Sequence, residues 1–348
     1  MNDSLTITRP DDWHLHLRQG RMLERVVAAS AQVFGRALIM PNTDPPILSG
    51  LDAGYYKQEI LRATEKWGKF KPIMTIKLTM NTTARMIHEA AEAGVKAVKL
   101  YPTGVTTNSQ DGVDLGRLKE MAENLVFDAM ADHDMVLCIH AEHPLQPVLE
   151  REPYVIPFIN ALLGWAPRLQ RIVIEHVSTE RMAQFVASHS DRLAATVTAH
   201  HLYLTLDDLL GEELKPHYFC KPVVKTSSDQ SSLWWYLLHS DNFFFGSDSA
   251  PHALHKKEAC SCAAGAFTAP ILLPLLAHMF EQHDALDTLE EFVSHRGADF
   301  YGMERNYDTI TLVKNNHPFV VEYNEGNDEL PRPMPLRNGE TIYWHVAR

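Results

Sequence analysis

The chain has 348 residues, 45% of them hydrophobic, enough to bury a large core and to exclude a disordered or fibrous class. A formal charge of −12 leaves no broad basic face, so nucleic acid and anionic membrane are excluded as expected partners, and an anionic ligand must be met by local cations or a metal. The first ten residues lack the pattern of a secretory leader, no apolar run reaches 18 residues, and Cys138, Cys220, Cys260 and Cys262 make no disulfide framework; a soluble cytoplasmic protein with free thiols is expected.

In chain order, short apolar or β-branched runs predict strands at 13–17, 37–40, 73–78, 97–100, 135–139, 171–175, 193–197 and 242–245. Helical periodicity fills most of the gaps, at 22–34, 51–67, 83–93, 115–133, 179–188 and 227–240. That alternation is the pattern of a parallel sheet, and eight repeats predict an α/β fold, a (β/α)8 TIM barrel. An open doubly wound sheet ranks second, since no Gly-x-Gly-x-x-Gly follows the first strand and no P-loop occurs. Leu312 and the segments 319–323 and 341–346 alternate like short antiparallel strands and predict a small C-terminal accessory flap. No low-complexity linker divides the chain, so residues 1–348 are expected to form one barrel domain.

Strand alternation puts His14, His16 and Arg18 on one face of the first run and Trp13, Leu15 and Leu17 on the other. A lone His-x-His pair is weak evidence for a metal clamp. Barrel active sites, however, form at the carboxyl ends of the strands. There the sequence offers His14 and His16, then Lys99, His140, His176 and Asp248. Any one of these alone is more often hydrogen-bonded filler than ligand; together at one mouth they point to metal chemistry. The donors exceed the three protein ligands of a catalytic zinc and suit two ions about 3.5–4 Å apart. Lys99 offers a bridge. Burial lowers a lysine pKa, and the neutral amine can add carbon dioxide to give a carbamate with one oxygen for each ion. The plain alternative for Lys99 is a structural ion pair.

Four motifs carry a resemblance: Trp13-His14-Leu15-His16-Leu17-Arg18, Met40-Pro41-Asn42, Lys99-Leu100-Tyr101-Pro102, and Ser247-Asp248-Ser249-Ala250-Pro251-His252. In this order, across residues 9–270, they resemble the shorter bacterial (class II) dihydroorotases of the amidohydrolase superfamily. The resemblance implies two Zn2+ per chain, with His14 and His16 on one ion, His140 and His176 on the other, and carbamylated Lys99 (N6-carboxylysine) between them. Asp248 would ligate the first ion and act as general acid and base. The implied reaction is the reversible closure of N-carbamoyl-L-aspartate to dihydroorotate, in pyrimidine biosynthesis. The family binds the substrate carboxylate with groups matching Arg18, Asn42, His252 and the backbone of Ala264; its members are commonly homodimers. It contacts the pyrimidine ring through main chain at Cys220 and Lys221, where an aliphatic residue is expected in place of Lys221. Adjacent threonines matching Thr106 and Thr107 close a lid over the ligand, here the polar, glycine-bracketed segment 104–112.

His200, His201, His217 and His255 are expected to be structural or at the surface, Glu142 and His143 to point away from the site, and Trp234, Trp235 and Tyr236 to pack a helix on the barrel. Another cyclic-amide hydrolase, such as a hydantoinase or allantoinase, is the nearest rival. A non-catalytic scaffold would need missing ligands, and none is missing.

Overall fold

The computed structural model describes residues 4–321, 327–337 and 339–347. Its strands are β1 (Ser4–Thr8), β2 (Asp11–Leu15), β3 (Arg36–Ile39), β4 (Lys71–Leu78), β5 (Ala97–Leu100), β6 (Val136–Ile139), β7 (Ile172–Ile174), β8 (Leu193–Val197), β9 (Phe243–Phe245), β10 (Thr309–Lys314) and β11 (Trp344–Val346). Strands β2 to β9 lie in sequence order in one parallel sheet, a nearly closed (β/α)8 barrel that matches the eight expected runs. The crossover helices start where a hydroxyl can satisfy their first free N–H groups: Ser49 before Gly50–Thr64, Thr83 before Ala84–Glu92, Thr179 before Glu180–Ala187 and Thr226 before Ser227–His239. The expected helix over 115–133 is broken. Leu125 takes a left-handed φ of 60° between Leu118–Glu123 and Val126–Asp132, which turns the second piece to pack on Ala84–Glu92. No helix among the described residues is long and apolar enough to cross a membrane.

The accessory sheet differs from the expected flap. Its middle strand, β10, pairs antiparallel with β11 on one side and with the unforeseen N-terminal β1 on the other, matching Leu5 to Leu312 and Ile7 to Ile310. Both ends of the chain therefore build it. Of the expected strand over 319–323, residues 319–321 form no strand and 322–323 lie outside the described residues.

The first barrel strand also departs from simple alternation. It ends at Leu15, two residues early, and Asp12 pairs with Ala37 while Leu15 pairs with Ile39. Trp13 and His14 thus share the space opposite Leu38, which is a β-bulge. Trp13, expected to face away from His14, instead joins the barrel interior with Leu38, Ala97, Val136, Val173, Ala194 and Phe244, whereas Leu15 and Leu17 join the outer core under the helices. Tyr301 stacks on Trp13 at 4.2 Å between ring centroids and closes the floor. A Cβ on Gly297 would collide with the Trp13 indole, so only glycine lets the last barrel helix come this close.

Closure between β9 and β2 depends on a buried carboxylate. Asp12 Oδ1 accepts from the backbone N–H groups of His14 (3.1 Å) and Ser247 (2.8 Å), and Oδ2 accepts from Ser247 Oγ (2.6 Å). Above it, Asp248 N donates to His14 O at 2.8 Å and His16 N to Ser249 O at 3.2 Å. Asp12→Ala should leave buried donors unmatched and cost about 3 kcal/mol. Urea unfolding measures this, and an unchanged midpoint would mean that Asp12 does not hold the seam.

Candidate metal centre

The polar layer lies directly above the apolar floor. On β5, Ala97 belongs to the interior and Val98 and Leu100 to the outer core, so alternation turns Lys99 inward; it is fully buried. His140, His176 and Asp248 follow the ends of β6, β7 and β9, and all three are buried. His176 and Asp248 have left-handed φ values of 44° and 42°, and Arg18 one of 59°, so three strand-end side chains leave their strands by sharp backbone turns.

His14 Nε2 and His16 Nε2 are 3.3 Å apart and lie 3.5 and 3.1 Å from Asp248 Oδ1. The rings then run in sequence around the mouth: His14 to His176 at 5.1 Å between centroids, His176 to His140 at 4.6 Å, and His140 to Tyr101 at 6.1 Å, with Lys99 Nζ 5.3 Å from the Tyr101 ring centre. All six expected donors therefore share one cluster. Burial pushes His16 down to about 4 and holds His140 and His176 below the usual imidazole range, so these rings are neutral at pH 7. Burial also lowers Lys99, favouring its neutral amine. For Asp248 burial acts in the opposite sense, but the imidazoles of His16 and His14 outweigh it and keep the carboxyl well below its ordinary range.

This donor set fits metal ions. Lys99 Nζ and His176 Nδ1 are buried without a hydrogen-bond partner, a costly state for polar atoms unless something else coordinates them. Imidazoles converging on an ionised carboxylate are the ligand chemistry that zinc uses.

Two carboxylates that sequence reasoning did not place in the site support the ligands. Glu175 Oε2 lies 2.7 Å from His14 Nδ1 and accepts from Thr196 Oγ1 at 2.6 Å, while Lys99 Nζ is 3.9 Å from its other oxygen. Glu142, expected to point away, has its carboxylate 2.8 Å from His140 Nε2, because a tight turn in which Glu142 N donates to His140 O (3.0 Å) brings the two residues together. For Glu142 the available signal was its place two positions after His140, since a ligating imidazole needs an acceptor for its second nitrogen; Glu175 meets His14 from 161 positions away, which no local spacing reveals.

At the rim, Arg18 Nε donates to Pro251 O at 2.8 Å, and its Nη2 lies 3.1 Å from His252 Nε2, itself 2.9 Å from Ala264 O. No carboxylate lies within ion-pair distance of this half-buried guanidinium among the described residues. Asn42 Nδ2 donates to Thr107 O at 3.2 Å, which joins the 104–112 loop to the rim, and Thr106 N donates to Ser109 Oγ within the loop. Lys221 reaches the same loop, donating to Val105 O at 2.8 Å.

The remaining histidines separate clearly. His200 and His201 are buried, not at the surface, and with Cys220 form a second compact trio. Both nitrogens of His201 are already engaged, by Thr198 Oγ1 and Pro222 O, and Cys220 Sγ donates to Pro222 O. His217 meets Glu258 and His255 meets the Asp328 carbonyl, away from the donor cluster. Trp234 packs its helix against Phe280 and His283. A separate cavity of about 570 Å³ opens at the start of β3 and β4, but its Arg9 and Arg36 are paired with Asp308 and Asp11, and no candidate residue lines it.

If Glu175 orients His14, Glu175→Ala should lower metal affinity about 10- to 100-fold with the fold intact. Competition against a fluorescent chelator reads this directly; wild-type affinity in the variant would remove Glu175 from the site.

The amidohydrolase family model matches residues 11–314. A dihydroorotase of Alkalilimnicola ehrlichii is 42% identical over 350 residues, covering 99% of each chain. The crystal structure of dihydroorotase in complex with 5-fluoroorotic acid from Saccharomyces cerevisiae superposes with a TM-score of 0.89 at 31% identity, over 99% of this chain and 98% of that one. An L-hydantoinase from Arthrobacter aurescens shares the fold at a TM-score of 0.81, with 18% identity over 99% of this chain and 83% of its own. The cyclic-amide hydrolase architecture, the strand-end donors and a full-length relationship agree: the chain belongs to the amidohydrolase family and, within it, to the dihydroorotases.

Proposed function

We propose that this enzyme catalyses the reversible cyclisation of N-carbamoyl-L-aspartate to (S)-dihydroorotate, a step of de novo pyrimidine (UMP) biosynthesis, with two zinc ions per chain. The observation that carries the proposal is the convergence of His14, His16, His140, His176, Lys99 and Asp248 beneath a rim that presents the Arg18 guanidinium with no carboxylate partner among the described residues. His14, His16 and Asp248 would hold one ion, His140 and His176 the other, and a carbamate on Lys99 both. The neutral Lys99 amine attacks carbon dioxide, an N–C bond forms and a proton leaves, which converts an orphaned donor into a two-oxygen ligand. When bound, the ions supply Lewis acidity and activate water at neutral pH.

The chain's own residues do the rest. Asp248 Oδ1 takes the proton of the attacking water and delivers it to the leaving ring nitrogen; in the reverse direction it removes that proton as the ring closes. Its depressed pKa keeps it ionised and ready to accept. Arg18 binds the substrate carboxylate, which gives its charge the counterion that the described residues lack, and His252, Asn42 and the backbone of Ala264 frame the same end. Lys221 offers its main chain to the ring, and Thr106 and Thr107 close over the ligand and exclude water. The relative crystallised with 5-fluoroorotic acid supports a carboxylated pyrimidine as the ligand. On family likeness alone, the proposal extends to one barrel domain over residues 1–348 in a cytoplasmic homodimer, with this small molecule as partner.

The direct test is hydrolysis of dihydroorotate and of hydantoin by metal-replete protein, with metal counted per chain. Preference for hydantoin, or full activity with at most one ion, would overturn the proposal. Asp248→Asn retains shape but cannot accept the proton, and should lose at least about 10²-fold in kcat in both directions; near-normal turnover would remove Asp248 from proton transfer.

Arg18→Met should weaken kcat/KM for dihydroorotate by about 10- to 100-fold through loss of charge-assisted hydrogen bonds, and leave a neutral cyclic amide nearly unaffected. Equal losses for both substrates would make Arg18 a structural residue.

A further inference from the structure

Loop 104–112 is folded on itself by Gly104 N to Ser109 O (2.8 Å), Thr106 N to Ser109 Oγ (2.9 Å) and Ser109 Oγ to Thr106 O (2.7 Å). Its tethers to the barrel come from two walls. On the near wall, Lys77 of β4 donates to Asn108 O at 2.7 Å and pairs with Asp111, while Asn42, just after β3, exchanges hydrogen bonds with Thr107 O and Asn108 Nδ2. These grip residues 107–111. The start of the loop keeps one bond to the near wall, from Val105 N to Pro102 O (3.3 Å), and is held from the segment between β8 and β9, across the mouth, where Lys221 Nζ donates to Val105 O at 2.8 Å. No other hydrogen bond of the Lys221 ammonium occurs among the described residues.

We infer that Lys221 is the latch of this loop, a positioning residue whose ammonium spans the mouth to hold Val105 and thereby sets the closed state of Thr106 and Thr107. The inference rests on the reading of 104–112 as a lid. The near-wall contacts act as a hinge, since they persist when the first half lifts; the far-wall contact must break for the mouth to open. A hinge with one charge-assisted latch gives a lid that opens at modest cost, which a ligand entering and leaving a buried site requires. An aliphatic residue at 221 would provide the same main chain to the ring but no such hold, so the cation at this position is a property of this chain's lid and not of ring binding.

Lys221→Met keeps the aliphatic stem and removes the donor. In the metal-replete enzyme without ligand, hydrogen exchange at Gly104 and Thr106 should accelerate about tenfold while β5 and β6 are unchanged. KM for dihydroorotate should rise several-fold with a smaller change in kcat, and Lys221→Arg, which retains a donor, should restore both to within about twofold. Exchange in Lys221→Met within twofold of wild type overturns the latch. The lid itself is tested separately: replacing Thr106 and Thr107 together by Ala should lower kcat about 10²-fold at unchanged metal content and unchanged latch. If that double variant keeps wild-type kcat and KM while Lys221→Met still frees the loop, the lid reading fails and the latch has no catalytic role.

Discussion

The site depends on how the last barrel strand meets the first. Elsewhere in the sheet, neighbouring strands are joined by ladders of backbone hydrogen bonds, but β9 is only three residues long and meets β2 at a bulge. Asp12 compensates by accepting from two backbone N–H groups and a hydroxyl across the gap. The residues it fixes are His14 and Ser247, the immediate neighbours of the His14–Asp248 contact. Ring closure and ligand placement are therefore one event: the carboxylate that closes the barrel also sets how far His14 stands from Asp248.

Below that seam the barrel interior divides into two layers with opposite chemistry. The floor of Trp13, Phe244 and Tyr301 is apolar and buried, and Cys138 within it is pushed to a high pKa by burial. Lys99 stands on this floor, level in register with Cys138 and without a hydrogen-bond partner, with the Glu175 carboxylate 3.9 Å away as its nearest counter-charge. The same apolar packing that gives the barrel its stability is thus what makes the lysine chemically available. Bulk supplied by Trp13 does this work because the bulge brings it inside; with regular alternation it would lie outside, and the floor would need another large residue.

Much of this architecture is legible without coordinates, for physical reasons. Parallel strands buried on both faces read as continuous apolar runs, and helices that begin at Ser or Thr announce their starts, so the alternation and the donors at the strand ends stand out. What is hidden is non-local or depends on one extra residue. β1 is five residues long and finds its partner about 300 positions away, so neither its pattern nor its neighbours reveal it. The bulge at Trp13 and His14 leaves the Trp-His-Leu-His alternation looking regular while shifting which side faces in. Glu175 and Glu142 were passed over because a charged residue at a strand end resembles an ordinary terminus, although each stands close to a histidine whose second nitrogen needs an acceptor.

Three residues of the mouth, Arg18, His176 and Asp248, carry their side chains on left-handed backbone, a conformation costing about 1–2 kcal/mol for residues other than glycine. Substitutions that relax the backbone there would do so by deleting the side chain, so random drift toward a more stable fold runs directly against the donor set and its rim. The mouth is consequently the region in which this protein has least freedom to trade sequence for stability. A search for thermostable variants should find its gains in the helices and accessory sheet, and variants gained at these three positions should be the ones that fold better and work worse.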